Sequence, residues 1–155
     1  MHKTRFTVVL FVAIWLVLGA CVPEPALGPK PMPPLEPRLP RVGEMVDIGK
    51  GAFITVESFE KRGSLGYITV LVDNSRGSED IRVDFQMSFL VEDKEGNTAV
   101  INMDAERDYP VPQGAVPTGD KLRGTLVYQL APLGEGLTLY YSHDISQGYI
   151  KIALE

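Results

Sequence analysis

The sequence predicts an all-β fold, an antiparallel β-sandwich of about seven to eight strands that occupies residues 42–155. Apolar and polar residues alternate in short runs, as they do when a strand has one buried face and one solvated face. Polar segments that contain glycine separate these runs, which is typical of the turns between antiparallel strands. No stretch has a convincing helical period. We therefore expect one domain with two packed sheets.

The clearest alternation lies in residues 81–93, "IRVDFQMSFLVED", which we interpret as one strand. Its apolar residues fall at every second position, whereas a helix would distribute them around its circumference. The runs 66–74 and 121–130 have the same pattern, and their predicted inward residues include Ile68, Val70, Val72, Leu126 and Tyr128. Further candidate strands are 44–48, 52–60, 97–101, 137–142 and 149–155.

The first twenty residues are typical of a secretory signal peptide rather than of the fold. His2, Lys3 and Arg5 precede fifteen uncharged residues, Phe6 to Ala20. A helix that spans a bilayer needs about 20 apolar residues, so this run is short for a permanent span. We expect residues 1–20 to be removed, and the alternative is an uncleaved N-terminal anchor.

The only cysteine follows this apolar run, in the block Leu18, Gly19, Ala20 and Cys21. The block resembles the lipobox of bacterial lipoproteins. The resemblance implies cleavage between Ala20 and Cys21 and a diacylglyceryl group on the Cys21 thiol. It also implies a protein held by lipid on the cell membrane or the outer membrane, facing the periplasm or the cell exterior. A buried core thiol and a catalytic nucleophile are the competing interpretations, and the flanking cleavage signal and prolines favour neither.

Residues 21–41 form a proline-rich linker after this cysteine, with eight of the twelve prolines of the chain. Proline fixes φ and lacks an N–H donor, so an extended polyproline II spacer of about 60 Å is expected. A docking motif for a proline-reading domain is the alternative. Without residues 1–20 the chain has 13 basic and 20 acidic residues, a net charge of −7. This charge disfavours nucleic acid as a partner, because phosphate binding requires Lys and Arg.

A second resemblance covers nearly all of residues 42–155. The blocks "YITVLVDNSRGSED" and "VPTGDKLRGTLVYQL" resemble the bacterial telokin-like, immunoglobulin-like domain family, with Pro117, Gly119, Lys121 and Gly124 as the most specific residues. Thr118 stands between the proline and the glycine where the family turn has no residue. The resemblance implies an immunoglobulin-like β-sandwich, and it brings no catalytic residue, since the family is poorly characterised.

Residues 102–120 are the one long segment with little strand character. On an extended backbone Asp104, Glu106 and Asp108 would share one face, where their carboxylates, with Asn102, could contribute oxygen ligands to calcium. Arg107 lies among them, and no glycine lies inside the cluster to turn the chain around an ion. The alternative is a solvated acidic edge that prevents the sheet from pairing edge to edge with another sheet.

No catalytic constellation is predicted. Adjacent residues on a strand point to opposite faces, so Ser142, His143 and Asp144 do not form a triad. Exposed tyrosines could stack on sugars, but cross-strand packing is the commoner role; the candidates are Tyr109, Tyr140, Tyr141 and Tyr149. We expect a non-enzymatic lipoprotein without cofactor that binds an envelope protein or has a structural role. The alternative is small-ligand or calcium binding by residues 102–120.

Overall fold

A computed structural model describes residues 38–144, 146 and 148–155, without the side chain of Glu106. The predictions for the signal peptide, for Cys21 and for most of the linker lie outside these residues. The described part contains ten strands and the 3₁₀ helix Ala105–Asp108. The strands are β1 Met45–Gly49, β2 Ala52–Arg62, β3 Leu65–Asp73, β4 Ile81–Val83, β5 Phe89–Glu92, β6 Val100–Ile101, β7 Gly114–Val116, β8 Lys121–Gln129, β9 Thr138–Tyr141 and β10 Ile150–Ala153. Over these residues no helix is long and apolar enough to cross a membrane.

The strands form three antiparallel sheets where two are predicted, because β4 and β7 pair apart from the other strands. The largest has the order β1-β2-β3-β8-β6, a second has the order β10-β9-β5, and β4 pairs with β7 alone. Every pair of named strands is antiparallel, and the all-β prediction is confirmed.

The core consists of the inward residues that the alternation predicts. Ile68, Val70 and Val72 of β3 are fully buried, and Leu126 and Tyr128 of β8 are 1% exposed. Residues of the second sheet face them, among them Phe89, Val91, Leu139, Tyr141 and Ile152. Burying one large aliphatic side chain contributes about 1.5–3 kcal/mol, so these rows fix which face of each strand points inward.

The prediction of one strand over residues 81–93 is wrong. The chain turns at residues 84–88, so that β4 joins the two-stranded sheet and β5 joins the three-stranded sheet. The carboxylate of Asp84 accepts hydrogen bonds from the backbone N–H groups of Gln86 and Met87, at 3.0 and 3.2 Å. These bonds compete with strand pairing. As a result Met87, expected to face inward, is 65% exposed.

Asn74, at the end of β3, links the two loops that lie beside it. Its side-chain amide is buried and donates to the carbonyls of Glu79 and Val116, at 2.9 and 2.8 Å. Its backbone carbonyl accepts from the N–H groups of Gly77 and Gly119. One amide therefore fixes both the β3–β4 loop and the turn before β8.

The residues that carry the telokin-like resemblance serve the scaffold. Gly119 has a φ of +96° in the turn, a conformation that favours glycine. A Cβ on Gly124 would lie 2.6 Å from the carbonyl carbon of Val111 and from Cδ of Pro112, where the chain passes β8. The Lys121 ammonium lies 2.6 Å from the Asp73 carboxylate. Each of these residues thus has a structural reason of its own.

Candidate binding groove

An apolar groove of about 330 Å³ opens between β5 and β6. Its wall includes Phe89 and Leu90 of β5, Ile101 of β6 and Tyr128 of β8. Met103 lies at the end that leads toward the 3₁₀ helix. The groove therefore lies at one side of the sandwich, where an edge strand of one sheet faces an edge strand of the other.

The groove exists because the chain changes sheets within a few residues. Val91 of β5 accepts a hydrogen bond from the Ala99 N–H at 2.8 Å, and Glu92 and Thr98 form a bridge. The next residue, Val100, pairs instead with Gln129 of β8 in the five-stranded sheet. The two strands consequently diverge from a shared hairpin and leave a wedge between them.

Asp93 fixes the turn from which the strands diverge. Its carboxylate accepts from the N–H of Gly134 and from both the backbone and the side-chain amide of Asn97. These bonds, with one from the N–H of Glu95, favour the charged form and lower the pKa of Asp93 to about 2. The hairpin is thus held by an ionised, almost fully buried side chain.

Backbone groups of both strands point into the wedge. In an antiparallel pair, residues alternate between those that bond to the neighbour and those that point away. Ser88 bonds to Ser142 beside β9, and Asn102 bonds to Val127 of β8. Phe89 and Ile101, one position from these, therefore direct their N–H and C=O groups away from β9 and β8. In the part of the chain that the structure describes, no strand pairs with either residue on that side.

The rim of the groove is unusually apolar for a surface. Val100 is 70% exposed and Met103 50% exposed, and Met87, which follows the lining residue Gln86, is exposed as well. The Gln86 side-chain amide donates to Sδ of Met103 at 3.3 Å. Adjacent exposed apolar side chains mark binding surfaces more often than isolated ones do, and methionine adapts to varied partners.

Tyr128 lines this apolar groove, and its hydroxyl is a polar group. It is buried and has no hydrogen-bond partner among the described residues, and burial raises the pKa of Tyr128. A buried hydroxyl without a partner is costly, so an incoming acceptor would be favoured there. The hydroxyl of Tyr141 and that of Ser142 are also buried without a partner in the described chain.

The acidic residues lie beside this groove but not on an extended backbone. Asp104 follows Met103, and residues 105–108 form the 3₁₀ helix. The side-chain oxygen of Asn102 accepts from the N–H groups of Asp104 and Ala105, both at 3.1 Å, so it caps the helix. No set of three acidic, histidine or cysteine side chains could hold a metal among the described residues, which exclude the Glu106 side chain. Calcium binding through Asp104, Glu106 and Asp108 stays a prediction.

The tyrosines weighed for sugar stacking pack against other side chains. Tyr141 is fully buried, whereas Tyr140 faces outward, with the Lys151 ammonium 5.1 Å from its ring. The rings of Tyr140 and Tyr149 are 6.3 Å apart, edge to face. Tyr109 packs edge-on against Tyr67 at 5.4 Å. Tyr141 belongs to the core and Tyr140 is half-buried on the opposite face of the strand, so the predicted opposite facing of the pair is confirmed, but Tyr140 is not fully exposed.

Residues 142–144 line a small cavity of about 70 Å³ with Ile48 and Ile150. Burial lowers the pKa of His143, whose ring is 6.1 Å from that of Tyr141. The Ser142 hydroxyl is buried and does not bond to His143. This arrangement lacks the nucleophile–base hydrogen bond on which triad chemistry depends.

Two solved structures have a fold similar to that of this chain. The yjhA protein from Bacillus subtilis is similar with a TM-score of 0.61 at 18% identity, over 76% of this chain and 100% of that chain. MPT63, a secreted protein from Mycobacterium tuberculosis, is similar with a TM-score of 0.56 at 9% identity, over 78% of this chain and 98% of that one. No protein-family model and no curated protein matches the chain. Together with the sheet order, the two likenesses confirm the predicted immunoglobulin-like antiparallel β-sandwich.

Proposed function

We propose that this chain is a non-catalytic, lipid-anchored module that binds a partner protein in the cell envelope. The observation that carries the proposal is the order of segments in the sequence. A signal-like apolar run ends just before Cys21, a proline-rich linker follows, and a β-sandwich comes after the linker. This order suits a folded domain that is presented at a distance from a membrane.

The physical chemistry of each segment supports this role. A thiolate is the best nucleophile for alkylation among the common side chains, and two acyl chains hold a protein firmly where one holds it marginally. The linker could extend about 60 Å, enough to carry the domain clear of the lipid surface. The likeness to a secreted protein agrees with a location outside the cytoplasm.

A protein partner suits the described surface better than a nucleic acid or a reactive substrate. The net charge of −7 after cleavage repels phosphate backbones. The most distinctive surface feature is the apolar groove with the exposed side chains of Val100 and Met103 in its lining, and apolar patches of this kind contact proteins.

Mass spectrometry of the N-terminal peptide tests the anchor. We expect residues 1–20 to be absent and Cys21 to carry lipid. A Cys21→Ala variant should leave the membrane fraction, and a matched Val22→Ala variant, which keeps the thiol, should remain there. A mature chain that retains residues 1–20, or that has an unmodified thiol at Cys21, would contradict the proposal.

A further inference from the structure

We propose that the wedge between β5 and β6 binds an extended segment of the partner protein. This segment adds a strand beside the free backbone groups of Phe89 in β5 and Ile101 in β6, and it places an apolar side chain against Tyr128. This inference rests on the proposed function and names the surface and the partner chemistry for it. The occupant is a peptide in β conformation with alternating apolar side chains and a basic residue at one end.

The backbone of the wedge supplies the first argument. The N–H and C=O groups of Phe89 and Ile101 point into the wedge, and neither residue has a strand partner on that side in the described chain. Exposed strand edges are templates for an added strand, which gains affinity from main-chain hydrogen bonds. A peptide strand needs the donors and acceptors that these two residues offer.

The size and lining of the groove supply the second argument. A volume of about 330 Å³ lies at the small end of ligand sites. It suits one or two inserted side chains better than a large cofactor. The walls from Leu90, Ile101 and Met103 are apolar, and the Tyr128 hydroxyl is the buried donor without a partner. A peptide carbonyl beside an inserted side chain would give this hydroxyl its acceptor.

Charge decides which peptides fit. Asp104 is exposed directly after Met103, and Asp108 is exposed at the end of the 3₁₀ helix, with Arg107 as the opposing charge. On the other side Asp84 precedes Gln86 in the turn that borders the groove. Asp104 and Asp84 lie within two residues of the lining residues Met103 and Gln86, so a lysine or arginine at the end of the peptide would be attracted and an acidic one repelled.

The test uses a synthetic peptide of about nine residues, KTVTLTVTK, an ordinary strand length, and the full chain in mild detergent. The first control peptide has the same side chains with N-methyl groups on alternate amides, which removes main-chain donors. The second control replaces both lysines by glutamate. We expect saturable binding of the first peptide by isothermal titration, with at least about tenfold weaker binding of both controls.

Variants of the protein locate the binding site. Val100→Asp and Met103→Glu change exposed side chains of the rim and should each weaken binding by about tenfold. Met45→Asp is the matched control, because Met45 is 64% exposed on β1, at the opposite edge of the five-stranded sheet. It should bind the peptide as the parent chain does. Amide NMR shifts confined to β5, β6 and the Tyr128 region would support the assignment.

Several results would overturn the inference. One is equal affinity for the N-methylated peptide, since strand addition needs those donors. Another is no binding of any peptide at millimolar concentration, and a third is equal loss of binding in Met45→Asp. Sedimentation of the free chain as a dimer that Val100→Asp dissociates would assign the wedge to a second copy. Saturable binding of decanoate that excludes the peptide would assign it to a lipid chain.

Photo-crosslinking in intact cells separates this inference from the proposed function. A crosslinking amino acid is placed at Val100, at Met45 or at Arg123. A specific envelope protein joined at Met45 or Arg123 but not at Val100 contradicts the wedge and leaves the binding function standing. A crosslinked peptide with an alternating sequence and a terminal lysine, found at Val100 alone, supports both. No crosslinked protein at any of the three positions contradicts both.

Discussion

Replacement of Asn74 by alanine should strongly destabilise the domain, because one buried amide serves two loops. The side chain is 0% exposed, and its two N–H groups go to the carbonyls of Val116 and Glu79. Alanine would remove the side-chain donor of the buried Val116 carbonyl, at a cost of about 1–3 kcal/mol. The Glu79 bond is only partly buried, so water can replace it, and its loss adds about 0.5–1.5 kcal/mol. We therefore expect a total loss of about 1.5–4.5 kcal/mol in the free energy of unfolding.

Urea denaturation of the full chain in mild detergent, followed by far-ultraviolet circular dichroism, measures this loss. Asn102→Ala is the matched control, because the Asn102 side-chain oxygen caps a short helix at the surface with two bonds of 3.1 Å. It should cost about 1 kcal/mol, which is typical of a helix cap. A loss below about 1 kcal/mol for Asn74→Ala would refute the role assigned to this amide, since even one orphaned carbonyl costs that much.

Asn74→Asp tests the same reasoning through pH. The introduced carboxylate has no donor and faces two carbonyl oxygens, so its pKa in the folded state should rise above the unfolded value of about 3.9. The stability that its protonated form contributes is present below that value and is lost as pH rises through the folded pKa. Stability of this variant should fall between about pH 4 and pH 7. A variant whose stability did not change over this range would show that the site is open to water.

Three further predictions concern other parts of the fold. Gly124→Ala should cost about 3 kcal/mol in urea denaturation, because its Cβ would meet backbone atoms of Val111 and Pro112. The bond from Lys121 lowers the pKa of Asp73 to about 2, and the bond from the Gly134 N–H lowers that of Asp93 to about 2. The contribution of both groups to stability should therefore be constant above about pH 5 and fall as the pH drops toward 2. Near pH 3 each should contribute about 0.8 proton to the slope of unfolding free energy against pH, and Asp93→Asn should halve the combined slope. Tyr128→Phe removes a buried hydroxyl without a partner in the described chain, so its melting temperature should equal or exceed that of the parent, while its affinity for the strand peptide should fall.

Alternation predicted the sheets where one face of a strand is buried along its whole length. In β3 every second residue from Gly66 to Val72 is buried, and in β8 the same holds from Gly124 to Tyr128. The pattern is readable because the hydrophobic effect acts on each residue separately and the side-chain period of a strand is two.

The prediction from alternation is wrong at residues 84–88, where the chain turns although apolar and polar residues continue to alternate. Phe85 and Phe89 are both buried, so the apolar spacing is kept across the turn. The residues that indicate a turn are Asp84 and Ser88. The Ser88 hydroxyl accepts a hydrogen bond from the Asp84 N–H at 3.1 Å, and the Asp84 carboxylate accepts one from the Gln86 N–H. Side chains of this kind form turns without glycine or proline, and such turns resemble a strand in sequence.

The groove could not be predicted from the sequence, because it depends on which sheet each edge strand joins. Residues 97–101 read as one short strand, yet Ala99 bonds to β5 and Val100 pairs with β8. The choice is made by partners 8 and 29 residues away along the chain, and only nonlocal packing decides it. The exposed Val100 and Met103 could have been noticed, but their exposure follows from the same nonlocal arrangement.

The residues that fix the fold differ from the residues that form the rim of the groove. Three residues that carry the family resemblance have structural roles. Gly119 allows a turn, Lys121 forms an ion pair with Asp73, and Gly124 leaves room for the backbone that passes β8. They fix the fold, and a fold does not determine what it binds. The rim residues Val100 and Met103 are exposed and make no comparable contribution to the core. Partner specificity should therefore follow changes at the wedge, and exchange of these two side chains should alter binding without altering stability.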